Sequence, residues 1–521
     1  MFRTAELGRS VSKEDFDAVA EPLRIELVNL QQKLRAADFP VIIIFAGVDG
    51  AGKSETINLL NEWMDPRWIV TRAYGPHSDE ERERPPFWRY WRDLPPRGRI
   101  GMFLSPWYSR PLLERAYGQI DEAGFDERLS RIAAFEKGLA DDGALILKFW
   151  MHLGKKEQKK RLKALEKDPH ESWRVTERDW THWEMYDDFI EASERLIVQT
   201  SMAHAPWQIV EGLDHRYRSL TVLTALRDAV VRHLEAQRMR NRLVHTLDAR
   251  QKKQAEQVEQ AAVEAGASAE TASGRHILSR LPSILSNLDM DLALSKKEYA
   301  ERLQKGRARL NGLYRAAKAE GISSILVFEG WDAAGKGGAI RRVTAGLDAR
   351  DYQVIPVAAP TDEEQAHHYM WRFWRHLSRA GRATIYDRSW YGRVLVERVE
   401  GFATQEEWKR AYAEIREFEE QLVEHGSVLM KYWFHITKEE QYDRFKRREE
   451  IPYKRWKLTE EDWRNRDKWD DYEMAVNDMV ERTSTHACPW TLVEGNDKRY
   501  ARVKALETYC DALQRRLDGE R

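Results

Sequence analysis

Cysteine is nearly absent. The 521 residues include two, Cys488 and Cys510, without CxxC spacing. This argues against a disulfide framework and favours reduced packing residues in a cytoplasmic protein. No cysteine–histidine pairing suggests a covalent nucleophile. Long apolar runs are missing too. None approaches the roughly 20 residues of a membrane span, and the start, Met1 to Leu7, lacks the apolar stretch of a signal peptide. Net charge is also lacking: at −1, bulk charge predicts no polyanion binding, so any basic surface must be local. No nucleic-acid-binding module is recognisable either. Neither a membrane nor a nucleic acid is expected as a partner.

What the chain has is a duplication. Phe45-Ala-Gly-Val-Asp-Gly-Ala-Gly-Lys53-Ser54 reappears as Phe328-Glu-Gly-Trp-Asp-Ala-Ala-Gly-Lys336-Gly337, a shift of 283 residues. The same shift carries Trp91 to Trp374, Trp107-Tyr108 to Trp390-Tyr391, His152 to His435 and Pro206-Trp207 to Pro489-Trp490. A period this long makes each copy a domain, not a solenoid repeat. The expected division is residues 1–236, a joining segment over 237–282, and residues 283–521. Within the joining segment, Arg240 to Ala262 reads as helix, and Ala265 to Gly274 as a mobile linker.

Each copy opens with an amphipathic helix pattern: Leu23, Leu27, Leu30 and Leu34 in the first, Leu303, Leu310 and Leu313 in the second. A short apolar run follows, Val41 to Phe45 or Ile325 to Phe328, as expected of a strand buried on both faces. In the second copy further runs begin at Tyr352, Ala383, Val428 and Trp490. Strands alternating with helices predict a parallel, doubly wound α/β sheet in each copy.

Gly47-x4-Gly52-Lys53-Ser54 satisfies the Walker A pattern between a predicted strand and helix. Glycines let backbone N–H groups close on phosphate oxygens, and lysine adds a mobile charge. The second loop, with Gly330, Gly335 and Lys336, puts Gly337 where a serine or threonine would bind magnesium. An aspartate inside a phosphate loop, Asp49 or Asp332, disfavours anions unless a metal offsets it. Asp332 is therefore a candidate magnesium residue.

A second acid, Asp387, ends a predicted strand and is followed by Arg388 and, further on, Arg393. This is the Walker B position, from which an acid can hold Mg²⁺, and the arginines can neutralise a transferred phosphoryl group. The first copy has Leu104 and Ser105 at the matched places. It is expected to keep the fold without turnover. The second copy also carries a comb of basic residues: Arg341, Arg342, Arg372, Arg375, Arg379, Arg382, Arg444, Lys446, Arg447, Arg448, Lys454, Arg455 and Lys457. The last three precede a segment from Trp463 to Asp471 that reads as a lid. His367-His368 reads as structural.

The loop around Asp332 and Lys336, the Asp387-Arg-Ser-Trp-Tyr391 segment, and Lys454-Arg-Trp-Lys457 followed by Trp469-Asp-Asp-Tyr472 resemble the polyphosphate kinase 2 family over both halves. The tandem arrangement with a degenerate first copy resembles the class that moves a terminal phosphate from inorganic polyphosphate to AMP, giving ADP. The resemblance implies two P-loop kinase-like α/β/α domains with helical lids, Mg²⁺ as cofactor, and a basic polyphosphate channel. It assigns Asp332 and Asp387 to the metal and the acceptor, and Lys336, Arg388 and Arg393 to the transferred group. Gly330, Gly335 and Gly337 go to the loop. Arg341, Arg342, Arg447, Lys454, Arg455 and Lys457 go to the donor chain and lid. Alternatives are ADP or another nucleotide as acceptor, an ATP-dependent nucleotide kinase, and a non-catalytic scaffold. Self-association through the first copy is a further expectation.

Overall fold

A computed structural model describes residues 1–264, 283–451 and 458–519. The expected mobile linker at 265–274, and Lys454, Arg455 and Lys457, lie outside the described residues.

In the first copy, α1 (Lys13–Leu34) starts at Ser12, whose side chain accepts the Asp15 N–H, and buries the leucines of its apolar face. β1 (Val41–Gly47) follows, and its first five residues are almost wholly buried. Branched side chains in a continuous apolar run suit a central strand covered on both faces. Next come α2 (Lys53–Trp63), β2 (Ile69–Ala73), β3 (Ile100–Leu104), α3 (Glu122–Asp141), β4 (Leu145–His152) and β5 (Trp207–Glu211), with shorter helices between. The strands are all parallel, in the order β2-β3-β1-β4-β5. The last helix, α4 (His215–Glu264), runs 50 residues without a break. The boundary expected at residue 236 therefore falls inside one helix.

The second copy repeats the plan. α5 (Lys296–Ala319) begins in a capping box between Ser295 and Glu298. Of its expected apolar face Leu310 is buried, beside Gly306, Tyr314 and Ala317. β6 (Ser324–Gly330), α6 (Lys336–Thr344), β7 (Tyr352–Pro356) and β8 (Ala383–Asp387) follow. Then come α7 (Gln405–Glu424), β9 (Val428–His435), α8 (Lys438–Glu450), α9 (Glu460–Asp467), α10 (Trp469–Thr483), β10 (Trp490–Glu494) and α11 (Lys498–Leu517). The sheet, β7-β8-β6-β9-β10, is again parallel and ordered as in the first copy. The expected lid segment is two helices, α9 and α10, meeting at Lys468.

Both copies lock their sheet with the same buried group. The Lys148 ammonium donates to Glu136, Tyr108 and the Thr200 carbonyl; Lys431 does so to Glu419, Tyr391 and the Thr483 carbonyl. These two ion pairs, 2.7 and 2.8 Å long, are fully buried. Two compact units result. One holds Met1–Pro76, the chain from Arg89 through α4, and Asp362–His368. The other holds His77–Trp88 and the described residues of the second copy up to Thr361 and from Tyr369 on. Among the described residues no helix is long and apolar enough to cross a membrane.

Candidate phosphoryl-transfer site

The two strands that flank the central one diverge from it in chain order. The crevice at their C-terminal edge is where open α/β sheets bind ligands. In the second copy the loop from β6 to α6 lies there, and β8 delivers Asp387 beside Phe328. Gly330 has φ 147°, and a Cβ on it would stand 2.4 Å from the Phe434 carbonyl, so only glycine fits. Gly335, with φ 113°, caps the N-terminus of α6. Gly337 lies in the first turn, and a Cβ there would meet nothing. Its lack of a hydroxyl is therefore not forced by space.

The Lys336 ammonium donates to the Gly330 carbonyl at 2.6 Å and the Trp331 carbonyl at 3.3 Å. Burial lowers its pKa, against the opposing pull of Asp332. Asp332 accepts from Arg388 at 3.2 Å and from Asn465 of α9 at 3.0 Å. Arg388 has φ 64°, left-handed for a non-glycine residue and strained by about 1–3 kcal/mol. Burial acts to lower its pKa, but Asp332 and Glu329 outweigh this and hold the guanidinium above its usual value. Glu329 is buried, and burial raises its carboxyl pKa; Ser389 donates to it at 2.8 Å. Arg444 of α8 secures the loop from behind, donating to the carbonyls of Ala333, Ala334, Gly495 and Asn496. Gln441 donates to the Asp332 carbonyl. Trp331 lies flat against Trp469 of α10, with ring centres 3.7 Å apart and planes 7° from parallel. The loop and α10 are thereby stacked together.

Asp332, Lys336, Asp387 and Arg388 thus gather at one edge. Arg393 is held by Glu397 at 3.2 Å and lies over the Tyr369 ring. Arg342 donates to Tyr299 and to the Gly338 carbonyl, Arg341 is exposed, and Arg447 lies 3.3 Å from Glu440. Arg379 is ion-paired with Glu83 inside the same compact unit. Glu329, Asn465 and the loop-bracing role of Arg444 were not anticipated from sequence. The signal for Glu329 was an acid within an apolar strand where the first copy has Ala46.

The first copy keeps the backbone and changes the charges. Ser105 is left-handed at φ 53°, as Arg388 is. Asp49 is 3.5 Å from Lys53 and 2.7 Å from His182. Burial opposes its ionisation, but Lys53 and His182 hold its carboxyl well below the usual range. Glu55 pairs with Arg161, Arg174 and Arg218. A Cβ on Gly52 would fall 1.9 Å from the Arg218 guanidinium, which lies against the loop.

Magnesium usually takes one or two protein carboxylates, completing its shell with water and substrate phosphates. Asp332 and Asp387 supply that many. Among the described residues no three His, Cys, Asp or Glu side chains form a metal cage. The donor set fits a phosphate-shared magnesium better than a protein-enclosed metal.

A glycine loop opening a helix at the edge of a parallel sheet, with a strand-end acid beside it, defines a kinase-like phosphotransferase. The chain belongs to the polyphosphate kinase 2 family, whose model matches residues 10–238 and 293–520. It is 50% identical over 521 residues to a polyphosphate:AMP phosphotransferase of Pseudomonas aeruginosa, covering 99% of each chain. It is 36% identical over 510 residues to one of Acinetobacter johnsonii, covering 96% of this chain and 97% of that one. A crystal structure assigned to polyphosphate kinase 2 from P. aeruginosa PA01 superposes over 100% of both chains, with a TM-score of 0.85 and 47% identity.

Proposed function

We propose that this enzyme transfers the terminal phosphate of inorganic polyphosphate to AMP, with Mg²⁺ and with the chemistry in the second copy. The observation that carries the reading is Asp387 and Arg388 at the edge of β8, beside Lys336 and Asp332, in a chain matched over its whole length by relatives of that activity. A phosphate oxygen of AMP attacks the terminal phosphorus. The new P–O bond gives ADP, and the bond to the next phosphate breaks, leaving polyphosphate one unit shorter. The attacking oxygen is anionic, so the transfer needs alignment and charge stabilisation more than a strong base.

Asp332 and Asp387 would hold Mg²⁺, which supplies charge neutralisation between donor and acceptor phosphates. Lys336 and Arg388 stabilise charge on the transferred group. Asn465 keeps Asp332 oriented from α9, and the Trp331–Trp469 stack positions α10 against the loop. Lys454, Arg455 and Lys457, which precede α9 in sequence, are assigned to a lid that excludes water from the transfer.

The test mixes the protein, Mg²⁺ and long-chain polyphosphate with AMP or ADP, and separately replaces polyphosphate with ATP. ADP from AMP and polyphosphate, lost on chelation and in Asp387→Asn, is the expected result. Product with ATP alone would make this a nucleotide kinase, and turnover surviving Asp387→Asn would move the chemistry away from β8.

A further inference from the structure

Each copy holds a buried arginine against its phosphate loop, but the two arginines come from different helices. In the second copy it is Arg444 of α8, only 3% exposed. Five hydrogen bonds use its five N–H groups. Nε donates to Glu440 at 2.6 Å. One terminal nitrogen donates to the carbonyls of Ala333 and Ala334 at 2.9 and 3.0 Å, the other to those of Gly495 and Asn496 at 2.6 and 2.9 Å.

The matching residue of the first copy, Arg161, does not take that place. It turns to Glu55 at 2.9 Å and is partly exposed. The place belongs to Arg218 of α4, which is 2% exposed and matches Ala501 of α11. Arg218 donates at 3.4 Å to the carbonyls of Ala51 and Gly212, the counterparts of Ala334 and Gly495. Its Nε is buried without a hydrogen-bond partner. Its charge is answered by Glu55 at 2.8 Å, where the second copy has Gly338. The helix that carries Arg161 still packs on the loop as α8 does. Gln158 donates to the Asp49 carbonyl and Gln441 to the Asp332 carbonyl, both at 3.1 Å.

The change of helix alters what is held. The hydrogen bonds of Arg218 go to neither Gly50 nor Leu213, the counterparts of Ala333 and Asn496. Gly50, at φ 79°, is a glycine in the left-handed region, whereas Ala333 takes φ 64° with a side chain. Ala333 directly follows Asp332, and its carbonyl is one that Arg444 holds. On the other side of Asp332, Asn465 donates to the carboxylate from α9, the helix that follows α8 in the chain.

We propose that Arg444 is a positioning residue for phosphoryl transfer: it fixes the left-handed Ala333 peptide, and through it the Asp332 carboxylate and Lys336, in the reacting arrangement. The first copy shows that the fold accepts a brace from its last helix instead. Bracing from α8 therefore serves the reacting loop and is not a requirement of the sheet. This rests on the reaction centre proposed in the second copy, not on the identity of the donor.

The experiment moves the brace. Arg444→Gln removes it, and Arg444→Gln with Ala501→Arg rebuilds it from α11 in the manner of the first copy. Room exists for this: a Cβ on Gly335 would meet nothing within 4 Å, whereas one on Gly52 meets Arg218. Melting temperature, kcat and KM are measured with whichever donor and acceptor the wild type turns over, so failure of polyphosphate as donor leaves the test intact. Arg444→Gln should melt early and lose kcat about a hundredfold, the scale of a misplaced reacting group. The double variant should regain the wild-type melting temperature while kcat stays low and both KM values change little. Recovery of kcat together with melting would reduce Arg444 to a structural brace and overturn the proposal. If melting is not regained, Arg444→Lys decides, because it keeps the charge but cannot form the five-bond array. A folded Arg444→Lys protein with kcat about tenfold lower and KM unchanged supports positioning. An unchanged kcat, or a loss confined to KM, overturns it. Amide exchange gives a reading without turnover: it should quicken over residues 330–338 in Arg444→Lys and stay the same over 47–55. No change at 330–338 would overturn the proposal.

Discussion

The first phosphate loop closes its charges on itself, whereas the second keeps a carboxylate–cation set around a bare glycine. Glu55, bound by three arginines, corresponds to Gly338; Arg218, lying against Gly52, corresponds to Ala501. Arg161 turns to Glu55, while its counterpart Arg444 binds loop carbonyls. Leu104, Ser105 and Ala46 replace Asp387, Arg388 and Glu329. Yet the sheet order and the buried lysine network are the same. The fold and the charges of the loops thus occupy separable sets of residues, and a handful of substitutions at one sheet edge distinguish the copies.

The largest test concerns what they share. Glu136→Ala and Glu419→Ala each strand a fully buried lysine, and each should cost about 3–5 kcal/mol in chemical denaturation. A large effect in one copy alone would break the equivalence of the frames. Next is the phosphate-loop lysine. Lys336→Ala should lower kcat/KM for ADP formation about a hundred- to a thousandfold, while Lys53→Ala leaves it near wild type. Equal losses would give the first copy a part in the reaction.

Acid should separate the copies more gently. Burial lowers His435 to about 4, and its Nδ1 accepts the Trp331 indole N–H at 3.1 Å. As pH falls below about 6.5 the unfolded chain takes up this proton and the folded one does not. Stability is therefore lost as pH falls from about 6.5 toward 4, by up to about 3 kcal/mol. His152 is also lowered by burial, but Glu6 at 2.8 Å opposes the shift, so its contribution is smaller. Urea titrations at pH 7 and 4.5 on wild type, His435→Gln and His152→Gln measure the difference. The smallest effect is Ser105→Gly, which relieves a left-handed residue. It should gain about 1 kcal/mol without altering activity, read by thermal melting and assay. Arg388→Gly should relieve the same strain and abolish turnover.

The fold was legible because its signals are local: short apolar runs, helical spacing and a shift of 283 residues repeated at many landmarks. Asp332, Lys336, Asp387 and Arg388 were legible because loop and strand-end positions fix where side chains emerge. The partners of Arg393 were not legible: it shares a short helix with Trp390, and Glu397 and Tyr369 hold it. Asn465 stands 133 residues from Asp332, and no spacing rule joins residues so distant.

The stacked Trp331 and Trp469 have a spectroscopic consequence. Two indoles with centres 3.7 Å apart are close enough for their electronic transitions to couple, so the pair is expected to contribute a dichroism signal that isolated indoles lack. The matching residues of the first copy are Val48 and Tyr186, so this pair's signal comes from the second copy. The second phosphate loop therefore carries its own optical label, and displacement of α10 from it can be followed in unmodified protein.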